Sequence, residues 1–274
     1  MTRRRESIGL VTGVPALAIV IALFVVPFFR SAVTSFTDRE GHFTFANYVT
    51  VWHLYTEDVL FTIGISAVSL FVVLAIGVVV SGFIRLYGGG VIEFLFKIPL
   101  FVPFVVVGHA MRVFLAPHGL LNSALAQVGL VNLDNPPAIT NIFGAGIAVS
   151  LVWKNMALAI LLILGAFESV GNTYLEAARN FGASWFRQLR DVLLPMSLTS
   201  IAVAAVLIFT SMLASFSIPM MIGQGKGPQM LMIDVYYRIL QHTDYGVANA
   251  LGVVSYLTAS GAAIYYLRSV TKKG

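Results

Sequence analysis

Several residues are of types that could do chemistry. Histidines, which can ligate metals or move protons, occur at five scattered positions: His42, His53, His109, His118 and His242. None of them pairs at a metal-ligand spacing. The glycine-rich run Gly223–Gly227 lacks both the first glycine of a phosphate-binding loop and the Ser or Thr that follows its lysine. Cysteine is absent, which excludes thiolate sites and disulfides. The sequence therefore predicts no catalytic, cofactor-binding or metal site.

Three cations stand within otherwise apolar stretches, at Lys97, Arg112 and Lys154. Charges at membrane depth are costly, and they usually face a cavity or a partner group. Lys97 can reach back to the interface, and Arg112 either meets headgroups or lines a pathway. Lys154 is the deepest of the three. Together with Asn155 it either lines a translocation pathway or pairs structurally within a helix bundle, and both alternatives stay open.

The elements that position these residues are apolar helices. Of the 274 residues, 58% are hydrophobic and 11% are charged, with a mean hydropathy of +0.88. Soluble domains carry about 25% charged residues. A spanning helix needs about 20 apolar residues. We predict an all-α membrane protein, one transmembrane domain over residues 1–274, with about six spans. These cover residues 8–29, 59–84, 92–116, 140–166, 196–222 and 246–267.

Loop charges predict that both termini lie in the cytoplasm. Basic residues gather in cytoplasmic loops, and this orientation places ten inside against four outside. The inner set is Arg3, Arg4, Arg5, Arg85, Arg179, Arg187, Arg190, Arg268, Lys272 and Lys273. The outer set is Arg30, Arg39, Lys226 and Arg238. The basic N-terminus and the first apolar run could be a signal peptide, but the run is longer than a usual signal core, which favours an uncleaved first helix.

The cytoplasmic segment 168–195, between spans four and five, has the pattern of two short helices. Glu176-Ala177-Ala178 consists of good helix formers. Gly182 can take the left-handed conformation that ends a helix, and Ser184 is a suitable N-cap for the next one.

The second of these helices has a defined apolar side. Trp185, Leu189 and Val192 recur at helical spacing, and Pro195 fits the first turn of span five. An amphipathic helix lying on the membrane surface would show a similar pattern, so that alternative also stays open.

The same segment resembles the EAA loop of permease subunits of binding-protein-dependent ABC importers. That pattern is Glu-Ala-Ala, three residues, Gly, nine residues, an aliphatic residue, any residue and Leu-Pro. The matching positions are Glu176, Ala177, Ala178, Gly182, Val192, Leu194 and Pro195. Phe45–Tyr48, Pro99, Pro103, Gly108 and Gly119–Asn122 are similar to flanking family elements. Phe216, Pro219 and Gly223 look most like the branch that imports polyamines, phosphonates or iron.

The resemblance implies a type I importer permease fold in a bacterial inner membrane. It implies four partners: a cytoplasmic ATP-binding subunit dimer that holds ATP and Mg, a second permease subunit that is a paralogue or an identical copy, an extracytoplasmic solute-binding protein, and the lipid bilayer. Nucleic acid is not among them. The implied ATPase-coupling residues are Glu176, Ala177, Ala178, Gly182, Trp185, Leu189, Val192, Leu194 and Pro195.

Other transport functions remain as alternatives. A sugar-importing permease of the same family would carry the same loop. A gradient-driven secondary transporter would be expected to show intramembrane acids or broken helices at matching positions in two halves, and no acid lies deep in any predicted span. A membrane scaffold would leave the Glu-Ala-Ala loop unexplained.

Overall fold

A computed structural model describes residues 14–141, 143–223 and 227–271, and the regular structure in these ranges is helical. One isolated β-bridge joins Thr37 and Phe43. The all-α prediction is therefore confirmed over the described ranges. The helices are α1 (Val14–Thr34), α2 (Ala46–Tyr87), α3 (Gly90–Phe101), α4 (Phe104–Phe114), α5 (Leu120–Gln127), α6 (Ala145–Glu168), α7 (Asn172–Asn180), α8 (Trp185–Met196), α9 (Leu198–Leu213), α10 (Ser217–Ile222), α11 (Leu231–Leu240) and α12 (Tyr245–Thr271), with a 3-10 turn at Ile139–Asn141.

By length and composition, three helices among the described residues can each cross a bilayer: α1, α2 and α6. Two bent pairs, α3 with α4 and α8 with α9, raise the number to five. The sixth predicted span, 246–267, lies within the 27-residue helix α12. Part of the first predicted span, part of the Gly223–Gly227 run and several charges used for the orientation lie outside the described residues, these charges being Arg3, Arg4, Arg5, Lys226, Lys272 and Lys273.

The third predicted span is broken near its middle. α3 and α4 meet at 104°, where Val102 is extended with ψ 121°. The ring of Pro103 disfavours the helical conformation for the residue before it, and Pro103 itself lacks the N–H of a helix interior. The sequence predicts one continuous span over residues 92–116. The structure shows two helical arms instead, because the Val102–Pro103 step stops the first and starts the second.

The fifth span is bent as well, and its proline lies before the bend. α8 and α9 meet at 77°, and α8 contains a π turn at Leu189–Leu193. There the amide of Leu194 donates to the carbonyl of Leu189. π turns of this kind occur mostly as single turns within α-helices, and frequently at functional sites. Pro195 thus occupies the last turn of α8, not the first turn of α9 as predicted.

The chain forms two compact units. The first comprises residues up to Thr56 together with Asp234–Tyr256. In it the side-chain amide of Asn47 donates to the carbonyls of Ser35 and Thr37, both at 2.9 Å. Asn47 therefore closes the short hairpin between α1 and α2.

The second unit comprises Glu57–Ile233 and the residues from Leu257 onward. Its centre is α6, the most buried of the long apolar helices. Leu151, Ile160 and Ile163 are fully buried there, and Gly77 of α2 approaches Ile163 closely. This packing fixes the C-terminal end of α6, from which the segment 168–195 continues.

Candidate functional site

Helix α7 ends as the sequence predicts. Gly182 has φ +76°. The amide of Ala183 donates to the carbonyl of Ala178 (3.0 Å), and that of Gly182 donates to Arg179 (2.8 Å). This is the Schellman arrangement, in which a left-handed residue satisfies the last carbonyls of a helix. It turns the chain sharply between α7 and α8.

The start of α8 is held by a side chain that the sequence analysis did not single out. Ser184 occupies the predicted N-cap position, but its hydroxyl makes no capping hydrogen bond. Gln188, which is buried, instead donates to the carbonyl of Ala183 (2.9 Å) and accepts from Arg179 Nε (3.3 Å). The two short helices are therefore joined by side chains as well as by the turn.

The predicted coupling residues differ in exposure. Glu176, Ala177, Gly182, Trp185 and Pro195 are exposed, Ala178, Val192 and Leu194 are half-buried, and Leu189 is buried. Four aromatic side chains of this segment also lie at the surface: Tyr174, Phe181, Trp185 and Phe186. Phe181, at 92%, is the most exposed of them. Phe181 is not among the coupling residues predicted from the sequence, although it stands directly before the turn glycine.

Leu189 packs against α2. A Cβ at residue 82 would lie 2.6 Å from Leu189 Cδ1, so a side chain there would require Leu189 to shift from its present position. Leu189 is 4% exposed. This leucine therefore fastens α8 to its own chain and presents almost no surface to a partner.

Arg85, in the last turn of α2, forms hydrogen bonds with the chain where α6 ends. Its Nε donates to the carbonyl of Phe167 (3.0 Å), and its Nη2 donates to the carbonyl of Val170 (2.9 Å) and to Asn172 Oδ1 (2.6 Å). The last carbonyls of a helix lack partners within the helix, and a cation near them is favourable. Arg85 thus ties α6 and the first residue of α7 to α2.

Arg179, in α7, makes a further hydrogen bond to α2. Its Nη2 donates to the carbonyl of Leu86 at 3.3 Å. Gly82, Arg85 and Leu86 therefore each meet a different part of the segment 168–195, within little more than one turn of α2. We call residues 82–86 the seat of the segment 168–195. From the sequence, Arg85 and Arg179 are predicted only to be cytoplasmic charges.

Lys154 is buried, with 8% exposure, and its ammonium group makes two hydrogen bonds. Nζ donates to the carbonyls of Pro99 (2.7 Å) and Val102 (2.6 Å) and lies 4.7 Å from the centre of the Phe104 ring. These carbonyls belong to the break between α3 and α4. The two alternatives for Lys154 are lining a pathway and pairing structurally within the helix bundle. This geometry corresponds to the structural pairing.

The other two candidate pathway residues are placed differently. Asn155 is buried and donates to the carbonyl of Leu151 in its own helix (2.8 Å). Arg112 is exposed, with Nη1 3.4 Å from the carbonyl of Met221. The structure does not gather Arg112 with Lys154 and Asn155. Lys97 pairs with Glu93 one turn earlier in α3.

Apolar cavities flank the Lys154 region. One of about 530 Å³ is lined by Val72, Leu95 and Trp153 among others, and one of about 680 Å³ by Met111, Phe114 and Trp153 among others. Trp153 borders both cavities. Neither cavity presents a charged group, so neither alone suits a charged solute.

The described geometry is that of a helical membrane protein with an anchored, aromatic-bearing segment between its fourth and fifth predicted spans. Residues 72–269 match the family described as binding-protein-dependent transport system inner membrane component. This match covers well over half of the chain. The chain belongs to this family. It is therefore a membrane permease component of a transport system, and the prediction of an ABC importer permease is confirmed.

Curated permeases of different cargo resemble this chain about equally. A spermidine/putrescine transport system permease protein, PotB, of Haemophilus influenzae is 26% identical over 216 residues, which cover 75% of this chain and 74% of the relative. A trehalose/maltose transport system permease protein, MalF, of Thermococcus litoralis is 25% identical over 285 residues, covering 97% and 94%. The family is therefore clear, whereas the polyamine branch is one of several.

A solved structure shows the same fold. It belongs to a bacterial ABC transporter involved in the import of the acidic polysaccharide alginate, with a TM-score of 0.81 and 19% identity over 98% of this chain and 96% of that chain. The permease fold predicted from the sequence is confirmed by this likeness.

Proposed function

We propose that this permease is one transmembrane subunit of an ATP-driven importer, coupled to a separate ATPase through the segment Glu176–Pro195. The observation that carries the proposal is the construction of that segment. Its backbone turn is fixed at Gly182. One side of the segment is anchored to residues 82–86 of α2, and aromatic side chains are exposed on its surface. A soluble or lipid-facing role would not require so many anchors.

The proposed contact divides the predicted coupling residues into two groups. Glu176, Phe181 and Trp185 face outward, where the carboxylate can meet a basic group and the rings can fill a groove of an ATPase. Leu189 and Gly182 instead support the segment within this chain. Leu189 packs on Gly82, and Gly182 sets the angle between α7 and α8. Burying one such aromatic or leucine side chain contributes about 1.5–3 kcal/mol.

The energy source is proposed to lie outside this chain. ATP and Mg bind to a cytoplasmic ATPase dimer, and closure of that dimer displaces the coupling segments. Both termini and this segment then lie in the cytoplasm, as the distribution of arginine and lysine favours.

A second permease subunit, identical or paralogous, is proposed to complete the translocation pathway. This chain offers Lys154, Asn155 and Arg112 as candidate polar groups, but the cavities beside Trp153 are apolar. The further subunit is proposed to supply the remaining polar surface of the route. An extracytoplasmic binding protein delivers the solute, consistent with the family description.

The cargo is proposed to be a small polar or charged solute such as a polyamine or phosphonate. The stretch around Phe216, Pro219 and Gly223 and the likeness to the spermidine/putrescine permease support it. A sugar is the second candidate, because the trehalose/maltose permease matches nearly the full length of both chains.

Crosslinking tests the docking directly. The chain has no native cysteine, so Ala178→Cys introduces a single thiol beside the exposed face of α7. We expect this thiol to crosslink to an ATPase that co-purifies in mild detergent, and the reconstituted complex to import solute only with ATP. Labelling of position 178 exclusively from the extracytoplasmic side, or ion-driven uptake by the lone subunit, would overturn the proposal.

A further inference from the structure

We propose that α2 mechanically joins the coupling segment Glu176–Pro195, on one side of the membrane, to the loop before α11 on the other side. Arg85 and Asp58 are the positioning residues at the two ends of this connection. This inference rests on the proposed function. It adds a defined route between the two sides of the importer.

The first end of the route is the seat of the segment 168–195, residues 82–86. Arg85 holds the end of α6 and the start of α7 through three hydrogen bonds. The carbonyl of Leu86 accepts a hydrogen bond from Arg179, and the side chain of Leu189 packs against Gly82. Because α6, α7 and α8 each have a contact here, a displacement of the docking segment must displace this end of α2.

The second end of the route is built from Asp58 and Thr62. Asp58 Oδ1 accepts the backbone amide of Gln229 at 2.6 Å. Thr62 Oγ1 accepts the amide of Leu231 at 2.9 Å and donates to the carbonyl of Asp58 at 2.7 Å. The amide of Leu231 is the first of α11, where a helix has no internal acceptors for its N–H groups, and the amide of Gln229 lies two residues before it. α2 therefore supplies a side-chain acceptor to each of these two amides.

The helix between the two ends is continuous. α2 runs from Ala46 to Tyr87 without a break, and it contains no proline. At 1.5 Å per residue, Asp58 and Arg85 lie about 40 Å apart along its axis. This exceeds the hydrocarbon thickness of about 30 Å, so the two sets of contacts lie at opposite faces of the membrane.

A continuous helix of this kind does not shorten, so it passes on movement by shifting or tilting as a whole. Hydrogen bonds at both ends make the shift specific: one end follows α7 and α8, and the other carries the Gln229–Leu231 backbone with it. In the proposed orientation, that backbone faces the side on which the binding protein docks. Docking of the binding protein on that side and ATP hydrolysis on the cytoplasmic side are thereby linked through α2.

The test uses the complete importer in proteoliposomes, with ATPase activity measured in the absence and presence of loaded binding protein. Arg85→Met removes the three hydrogen bonds and keeps an unbranched, flexible side chain. Asp58→Ala removes the acceptor for Gln229. For each variant we expect the complex to assemble and to retain its basal ATPase rate. The stimulation by binding protein should fall by about fivefold or more, the lower end of typical allosteric coupling.

The double variant decides whether the two residues share one route. If both act through α2, Arg85→Met combined with Asp58→Ala should lose no more stimulation than either single variant, because residues that act as a unit are not additive. Independent, additive losses would overturn the proposal, as would normal stimulation in both single variants.

A neighbouring substitution serves as the matched control. Glu57→Ala removes an exposed acid adjacent to Asp58. This variant should be stimulated normally, and loss of its stimulation would overturn the route.

A further outcome separates this inference from the proposed function. A purely structural role for Arg85 and Asp58 predicts lower yield or thermal stability with normal stimulation per assembled complex, and this would overturn the inference alone. Absence of ATP-driven uptake in the unmodified complex would overturn the proposed function itself.

Discussion

Leu189 of the coupling segment occupies space that Gly82 of α2 leaves open, with only 2.6 Å between Leu189 Cδ1 and the position of a Cβ at residue 82. A larger residue at position 82 would therefore push α8 away from its seat.

Gly82→Val should destabilise the chain by about 1–3 kcal/mol, the usual cost of overpacking a well-packed site. The expected readouts are a lower melting temperature of the purified complex and reduced transport per ATP hydrolysed. Adding Leu189→Ala vacates the contested space and should recover part of the loss. If the pair behaves no better than Gly82→Val alone, the two residues do not compete for this space.

Gly182→Val should weaken coupling through backbone strain alone. Residue 182 has φ +76°, yet no described atom beyond its chain neighbours lies within 4 Å of where its Cβ would stand. The left-handed conformation costs a side-chain-bearing residue about 1–2 kcal/mol. We expect normal membrane insertion with reduced ATP-driven uptake, and a milder effect for Gly182→Asn.

Gly165→Val is the matched control for this prediction, because a Cβ at residue 165 in α6 also meets open space, without a positive φ. Uptake by this control should stay close to that of the unmodified protein. Normal uptake by Gly182→Val would show that the turn angle is dispensable.

Phe181→Ala should weaken ATPase binding without lowering the stability of the permease. The side chain is 92% exposed within this chain, so it contributes little to folding here. Its burial in a partner would contribute about 1.5–3 kcal/mol, or roughly tenfold or more in the dissociation constant. Binding of detergent-solubilised permease to the isolated ATPase measures the effect.

Leu175→Ala gives the contrasting result in the same helix. Leu175 is 3% exposed, and truncation of a buried leucine costs about 2–5 kcal/mol of stability. We expect a lower melting temperature for Leu175→Ala and an unchanged one for Phe181→Ala. The reverse pattern would place Phe181 in the core and remove it from the docking surface.

Lys154→Met should lower thermal stability, because it removes the ammonium donor from the carbonyl of Val102 and leaves the carbonyl of Pro99 with only the amide of Val102. An unsatisfied buried polar group costs about 1–3 kcal/mol. Lys97→Met is the control, because it breaks a partly exposed pair with Glu93 of a kind worth about 0.3–0.5 kcal/mol. Uptake per assembled complex then tests the pathway role. Altered uptake supports that role, whereas unchanged uptake with reduced yield leaves Lys154 as a packing residue.

Local features of the fold could be predicted from the sequence. Helix α7 and its end at Gly182 follow from helix formers beside a glycine, which is information held within about ten residues of chain. The apolar stretches likewise predicted helices α2 and α6. The break at Val102–Pro103 had a local signal in Pro103, but its angle depends on packing and on the donor that Lys154 brings from another helix.

The anchors of the site could not be predicted in the same way. Apolar periodicity indicates that Leu189 belongs to a buried face, but it does not indicate that the face meets Gly82. Arg85 carried a weak signal as an arginine directly after a long apolar stretch, where a cation can meet the ends of other helices. Asp58 and Gln229 are 171 residues apart, and no pattern within either segment points to the other.

The π turn at Leu189–Leu193 amounts to one extra residue in an otherwise regular helix. At 3.6 residues per turn, one residue corresponds to about 100° of rotation around the helix axis. Trp185 and Pro195, on either side of that turn, therefore have a relative azimuth that a regular α-helix of the same sequence would not produce. Deleting one residue from the turn would rotate the aromatic end of α8 about its axis while its length changed by only about 1.5 Å.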